Sequence, residues 1–257
     1  MDWVLDYNNM NKLRPILLMI LLQLFTGCNS ESANECIRTA GATIVYDVPV
    51  SDFTTIYLSV GIELIITEGP EQKVTVKTGD NIMEYISAEV IGTELHLTNA
   101  NNCNWVHDYN TTTVYVTTPH LEKIYSASQF AVKSDGVLTF PTLSLQSGIF
   151  NETASGTFEL EVNCENLTIE DNQSAYYVIS GAVENLNINF YAGDARFEGS
   201  DLIAQKLTIF HRSSNDIIAR PQQEVTGKLL STGNLVLKSH PPIVDVEKVY
   251  TGSVVYE

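Results

Sequence analysis

Cys28 is the residue whose surroundings most directly imply chemistry. It follows two small residues, Thr26 and Gly27, at the end of a ten-residue apolar run from Ile16 to Phe25. Small residues beside a cysteine suit a peptidase that cuts there, and the thiol left behind is a point for attaching lipid. Lys12 and Arg14 supply a positive flank before the run. A run this short can thread a translocon, whereas a bilayer span needs about 20 apolar residues.

The order Phe25-Thr26-Gly27-Cys28 resembles the lipobox of bacterial lipoprotein signal peptides, with Phe25 where leucine is commoner. This predicts a signal peptide over residues 1–27 and a lipid on Cys28. Asp2 and Asp6 are acidic where such a leader is basic, so Met10 is the expected start of translation. The tract Asn29 to Ala42 is polar and small, which reads as a flexible tether over residues 28–42. At ~3.3 Å per extended residue it reaches about 45 Å.

Other chemistry is sparse. The sequence contains no Gly-x-Ser-x-Gly elbow, phosphate loop or His-Glu-x-x-His motif. His96, His107, His120, His211 and His240 are scattered, and none pairs with another at metal-ligand spacing. Cys36, Cys103 and Cys164 are far apart, although Cys36 and Cys103 could join outside the cytoplasm. No cofactor or metal is implied. Asn110, Asn151, Asn166 and Asn172 each begin an Asn-x-Ser/Thr triplet, which beside a lipobox reads as chance in a chain rich in Asn and Thr. The most distinctive segment runs from Asn101 to Asn110 and carries Trp105, His107 and Tyr109. Such a loop could stack on sugar rings, or pack back to cover an exposed core.

The net charge of −17 survives processing, because residues 1–27 hold two acids and two bases. Nucleic acid is excluded as a partner, since phosphate backbones need Lys and Arg. Docking on anionic headgroups is equally disfavoured, and the charge supports solubility or bridging by divalent cations.

These residues must be positioned by strands. From Thr43 onward nearly every segment alternates, as in Ile62-Glu63-Leu64-Ile65-Ile66 and Val114-Tyr115-Val116-Thr117. One helical turn is expected at Asn81 to Tyr85. A Leu-x-apolar step then recurs at Leu143, Leu167, Leu186, Leu207 and Leu229, with a looser copy at Leu121. Small residues follow each copy: Ser147-Gly148, Ser174, Gly193-Asp194, Ser213-Ser214 and Gly233-Asn234. A period near 21 residues with small corners is what a β-solenoid needs, because each coil stacks its strands on the one below. An antiparallel sandwich also spaces short strands evenly, but Asp135-Gly136 is the one hairpin signal noted in its favour.

The segment from Phe53 to Gly69, with Gly61-Ile62-Glu63 at its centre, resembles the putative auto-transporter adhesin, head GIN domain family. So do Gln72 to Val76, the Asn81-Ile82-Met83 turn and the later Ser147-Gly148, Ser155-Gly156 and Ser180-Gly181 pairs. The family's namesake Gly-Ile-Asn ends in Glu63 here. The resemblance covers about Val50 to Val255. It implies a right-handed parallel β-helix in a secreted or lipid-anchored bacterial protein, and brings no catalytic residues. The expected whole is an all-β protein with a solenoid over residues 43–257. It sits in the cell envelope as an outer-membrane lipoprotein, on the periplasmic or surface face. Its role is adhesive, with a glycan or extracellular protein as ligand, Cys28 as the membrane anchor, and Trp105, His107 and Tyr109 in contact. The alternatives are a carbohydrate-active enzyme on a β-helix, or a purely structural envelope component. Arg196, Lys206, Arg212 and Arg220 are the bases the enzyme would draw on.

Overall fold

The computed structural model describes residues 40–101, 112–150 and 154–257. Cys28, Cys36, Cys103, Trp105, His107 and Tyr109 lie outside the described residues.

The chain is a β-solenoid of about six turns. The regular part is built from β10 (Thr142–Ser147), β11 (Thr157–Asp171), β12 (Tyr176–Phe190), β13 (Arg196–His211), β14 (Ile217–Leu229), β15 (Leu235–Leu237), β16 (Ile243–Lys248) and β17 (Val254–Tyr256). In β11 and β12 the strand folds into two legs where its alternation slips once, whereas β13 slips twice. In β11 the inward residues are Phe158, Leu160, Val162 and Cys164, then Leu167, Ile169 and Asp171. The three-residue step from Cys164 to Leu167 is the corner. The second legs stack in parallel, with Leu143, Leu167, Leu186, Leu207 and Val225 in register. All five are essentially inaccessible to solvent.

The expected solenoid period therefore holds from Leu143 as far as Leu207; Leu121 is one residue out of step, because Ile124 pairs with Leu145. The next step is Val225 rather than Leu229, which aligns with His211 instead. The register between β13 and β14 slips twice around Arg220 and Pro221, so the sequence offset misleads there.

The amino-terminal part is less regular. It contains β1 (Thr43–Val48), β2 (Thr55–Leu58), β3 (Glu63–Glu68), β4 (Lys73–Gly79), β5 (Ile86–Ile91), β6 (Glu94–Asn99), β7 (Thr113–Thr118), β8 (Lys123–Ser126) and β9 (Val132–Leu138). A single 3-10 turn over Met83–Tyr85 leads into β5, as the sequence predicts. Strands β2 and β3 are sandwiched between later ones: β2 pairs with β6 and β8, and β3 with β7 and β9. Strands β1, β4 and β5 run antiparallel to their neighbours. The two-residue hairpin is Gly92-Thr93, whose flanks Ile91 and Glu94 pair. Asp135-Gly136 makes no hairpin; it lies inside β9.

The small residues at the corners have specific tasks. Gly193 has φ +81°, and a Cβ there would come within 2.0 Å of the Gln173 carbonyl oxygen in the coil below. Buried hydroxyls knit coil to coil: Ser128 Oγ donates to the Ile62 carbonyl at 2.7 Å, Ser147 Oγ to Ser126 at 3.0 Å and Ser213 Oγ to Ala195 at 2.6 Å. Corner carbonyls without a ladder partner need such donors. Ser180-Gly181 is not a corner. Gly181, at φ +105°, sits within β12 beside a register slip against β13.

Candidate functional site

Among the described residues, the turns from the Leu-x-Ile leg into the next leg fall along one edge of the solenoid. This edge includes 59–62, 127–131, 172–175, 191–195 and 212–216. Asn101 and Thr112, which bracket the segment containing Trp105, His107 and Tyr109, lie at this edge. The structure therefore places the roots of that segment, though not its three named side chains.

Beside those roots lies a ladder of rings on the outward slots of β6, β2 and β8. Each ring occupies the slot between two inward residues: Leu95-His96-Leu97, Ile56-Tyr57-Leu58 and Ile124-Tyr125-Ser126. Strand pairing sets His96 opposite Tyr57, and Tyr57 opposite Tyr125. The rings stack at centroid distances of 5.2 Å and 4.8 Å, tilted by 27° and 15°. Phe150, from the corner after β10, continues the series at 5.4 Å from Tyr125. Its backbone N–H donates to the Tyr125 hydroxyl oxygen at 3.2 Å. Tyr125 is thereby buried at 3% exposure, whereas Phe150 is 78% exposed. His96 is steered by Glu94, whose Oε2 lies 3.2 Å from its Nε2.

The ladder turns polar in the coils above. Gln146 Nε2 donates to Glu170 at 2.6 Å, and the Tyr191 hydroxyl donates to the same carboxylate at 2.7 Å. Burial, then the hydrogen bond to Glu170 and its charge, push the Tyr191 phenol up to about 12. Thr168, Glu170, Asn187 and Asn189 point outward and are half-buried against one another.

A second concavity, of about 370 Å³, lies on the other leg and is lined by Ser134, Gly136, Glu159, Leu160, Glu161, Val178 and Ser180. Its two glutamates are both exposed, so the surroundings set neither apart as acid from base. The nearby Lys133 ammonium is held by Glu63 at 3.0 Å. The four bases noted in the sequence are dispersed. Arg196 lies 5.5 Å from the Tyr176 ring centre and 3.7 Å from Glu198; Lys206 pairs in register with Glu224, Arg212 is at a corner, and Arg220 is beside Ile203. Among the described residues, no group of three or more His, Cys, Asp or Glu side chains could hold a metal ion.

The putative auto-transporter adhesin, head GIN domain family matches residues 52–241. The chain belongs to this family. No curated protein matches the chain. Among solved structures, a putative adhesin from Bacteroides fragilis superposes with a TM-score of 0.75 at 17% identity, covering 86% of this chain and 100% of that one. A putative lipid binding protein from Parabacteroides distasonis gives 0.63 at 17% identity, covering 86% and 99%. A putative adhesin from Parabacteroides merdae gives 0.57 at 11%, covering 86% and 98%. At these identities the likeness establishes the shared solenoid fold.

Sequence reasoning did not find Tyr57, Tyr125 and Phe150. The signal available was an aromatic in the outward slot of three strands, which would normally face water. What joins them is the insertion of β2 between β6 and β8, and no local pattern reports that.

Proposed function

We propose that this head GIN domain protein is a non-catalytic binding protein of the cell envelope. Lipid on Cys28 holds it at the outer membrane. Its contact surface is the exposed part of the ring ladder, His96, Tyr57 and Phe150 with Tyr125 as their buried support, together with the segment carrying Trp105, His107 and Tyr109. The observation that carries this reading is Phe150, an aromatic side chain left 78% exposed at the end of a stacked series on a rigid scaffold. An exposed ring seated against rings held on strands suits stacking against the apolar faces of sugars or against partner side chains. The net charge of −17 favours neutral or cationic ligands over polyanionic ones. The adhesin names carried by the family and its structural neighbours agree with a binding role.

The test is a screen against neutral glycans and extracellular-matrix proteins. Phe150→Ala, Tyr57→Ala and Trp105→Ala should each weaken the best hit tenfold or more while the fold melts within a few degrees of the parent. Binding that survives all three substitutions would sink the assignment of this surface. Anchoring is tested separately by labelling cells with a fatty acid. Cys28→Ser should abolish incorporation, and a labelled variant would refute the anchor.

A further inference from the structure

The two ends of the solenoid finish differently. At the amino-terminal end the outermost strands reverse direction, β5 against β6 and β4 against β7, so the parallel stack cannot continue in register. At the other end β16 and β17 lie parallel on β14 and β15. Among the described residues, no strand pairs with their outer side. That side presents a row of backbone donors and acceptors ready for one more parallel strand.

The side chains around this edge specify what would fit. Val244 and Val246 point inward, but they are half-buried, where Val225 in the coil below is fully buried. Ile243 and Tyr250 flank them at 52% and 58% exposure. The outward slots carry Asp245 and Glu247. One coil below, Lys228 meets Glu247 at 2.7 Å, so this ladder already places opposite charges across adjacent coils. A strand laid over β16 would meet two carboxylates and two incompletely covered valines.

We infer that this edge captures an extended segment of a partner protein by strand addition. The segment places apolar residues over Val244 and Val246, and Lys or Arg over Asp245 and Glu247. A second copy of the chain fits less well. Two such ends meet antiparallel about a two-fold axis. In the two face-matched registers of longest overlap, Asp245 then faces Asp245 or Glu247 of the second copy. Like charges directly opposite are destabilising.

The experiment uses the full chain and three synthetic probes. These are an alternating Lys-Val hexapeptide, an alternating Glu-Val hexapeptide, and a block peptide of three lysines followed by three valines. Amide hydrogen exchange locates the contact. The alternating basic peptide should slow exchange in β16 and bind at least tenfold more tightly than either other peptide. The variant Asp245→Lys with Glu247→Lys changes two exposed positions and should reverse the preference; Asp245→Lys alone should weaken it if the pair unfolds the end coil. Equal binding of the block peptide would overturn the inference, since attraction to the overall charge would then suffice. So would protection of the same amides by concentration-dependent self-association without peptide. No residue of the ring ladder lies at this edge, so its failure and that of the proposed glycan or protein surface are separable.

Discussion

Two ladders of side chains climb the same strands one residue apart, and they treat polar groups in opposite ways. The outer ladder passes from His96 through Tyr57 and Tyr125 to Gln146, Glu170, Asn189 and Phe210. The inner ladder passes from Leu97 and Leu58 to Ser126, Ser147, Asp171, Phe190 and His211. Outside, Glu170 and Gln146 can exchange partners with water. Inside, Asp171 and His211 are both at 0% exposure, and their surroundings decide their protonation. Asp171 accepts from the Gln173 N–H at 2.6 Å and from the Tyr177 hydroxyl at 2.9 Å. Burial nevertheless pushes its carboxyl up to about 7, against the smaller pull of those hydrogen bonds. Among the described residues no well-formed hydrogen bond reaches either ring nitrogen of His211, and burial holds it down to about 4 against the smaller pull of Asp216 and the Asn215 and Asn234 backbone. One residue of phase separates a group that water stabilises from a group that the core forces toward neutrality.

The largest effect should follow from removing the buried ring on the first leg of β12 that supports Asp171 of the inner ladder. Tyr177 stacks between Phe158 at 4.8 Å and Phe190 at 6.0 Å while its hydroxyl serves Asp171. Tyr177→Ala should cost about 3–5 kcal/mol in urea unfolding, from lost burial and the cavity left behind. Tyr177→Phe keeps the ring but leaves the carboxyl short of a donor, and should cost about 1–2 kcal/mol. Tyr57→Ala on the outer ladder should cost no more than about 1 kcal/mol. If Tyr57→Ala proved as damaging as Tyr177→Ala, the two ladders would not differ in the way their exposure implies.

The next effect concerns pH, and it sharpens the comparison because the two inner groups oppose each other. Asp171 has a folded value near 7 against an ordinary 3.8, so its contribution is fully present below about pH 4 and is lost as pH rises through 7. His211 has a folded value near 4 against 6.5, so its contribution is present above about 6.5 and is lost as pH falls through 4. Each alone would tilt stability by up to about 1.4 kcal/mol per pH unit. Between about pH 4 and 6.5 the tilts have opposite signs and nearly cancel. His211→Phe should expose a fall in stability with rising pH across that window, and Asp171→Asn should expose a rise. Parallel pH profiles for the two variants would show that these groups do not titrate as their burial implies.

Much of the inner ladder was legible in the sequence, and little of the outer one was. Leu167-Thr168-Ile169 and Leu186-Asn187-Ile188 announce the stacked leg because both apolar slots must be filled in every coil. The reading failed at Leu229, where two register slips around Pro221 displace the repeat and Val225 takes the slot. Asp171 and His211 fill apolar slots with ionisable groups, and period-two patterning does not anticipate them. The ring ladder was hidden for a topological reason. Tyr57 and His96 lie far apart in sequence and become neighbours because β2 sits between β6 and β8. The part of the candidate surface that sequence did single out, Trp105 to Tyr109, is conspicuous in composition alone.

The smallest effect tests whether charge on the outer ladder matters to folding at all. Lys228 and Glu247 approach to 2.7 Å, but their side chains are 52% and 59% exposed. At that exposure the attraction is screened, and ordering two long side chains offsets most of it. Lys228→Ala should therefore change stability by less than about 0.5 kcal/mol, and the change should shrink further in 0.5 M salt. The same substitution removes the cation set against Glu247, so it should also strengthen capture of a basic strand at the open edge. A stability loss of more than about 1 kcal/mol that persists in salt would mean the pair is shielded from water. The outer ladder would then share the electrostatics of the inner one, and exposure would not be what separates them.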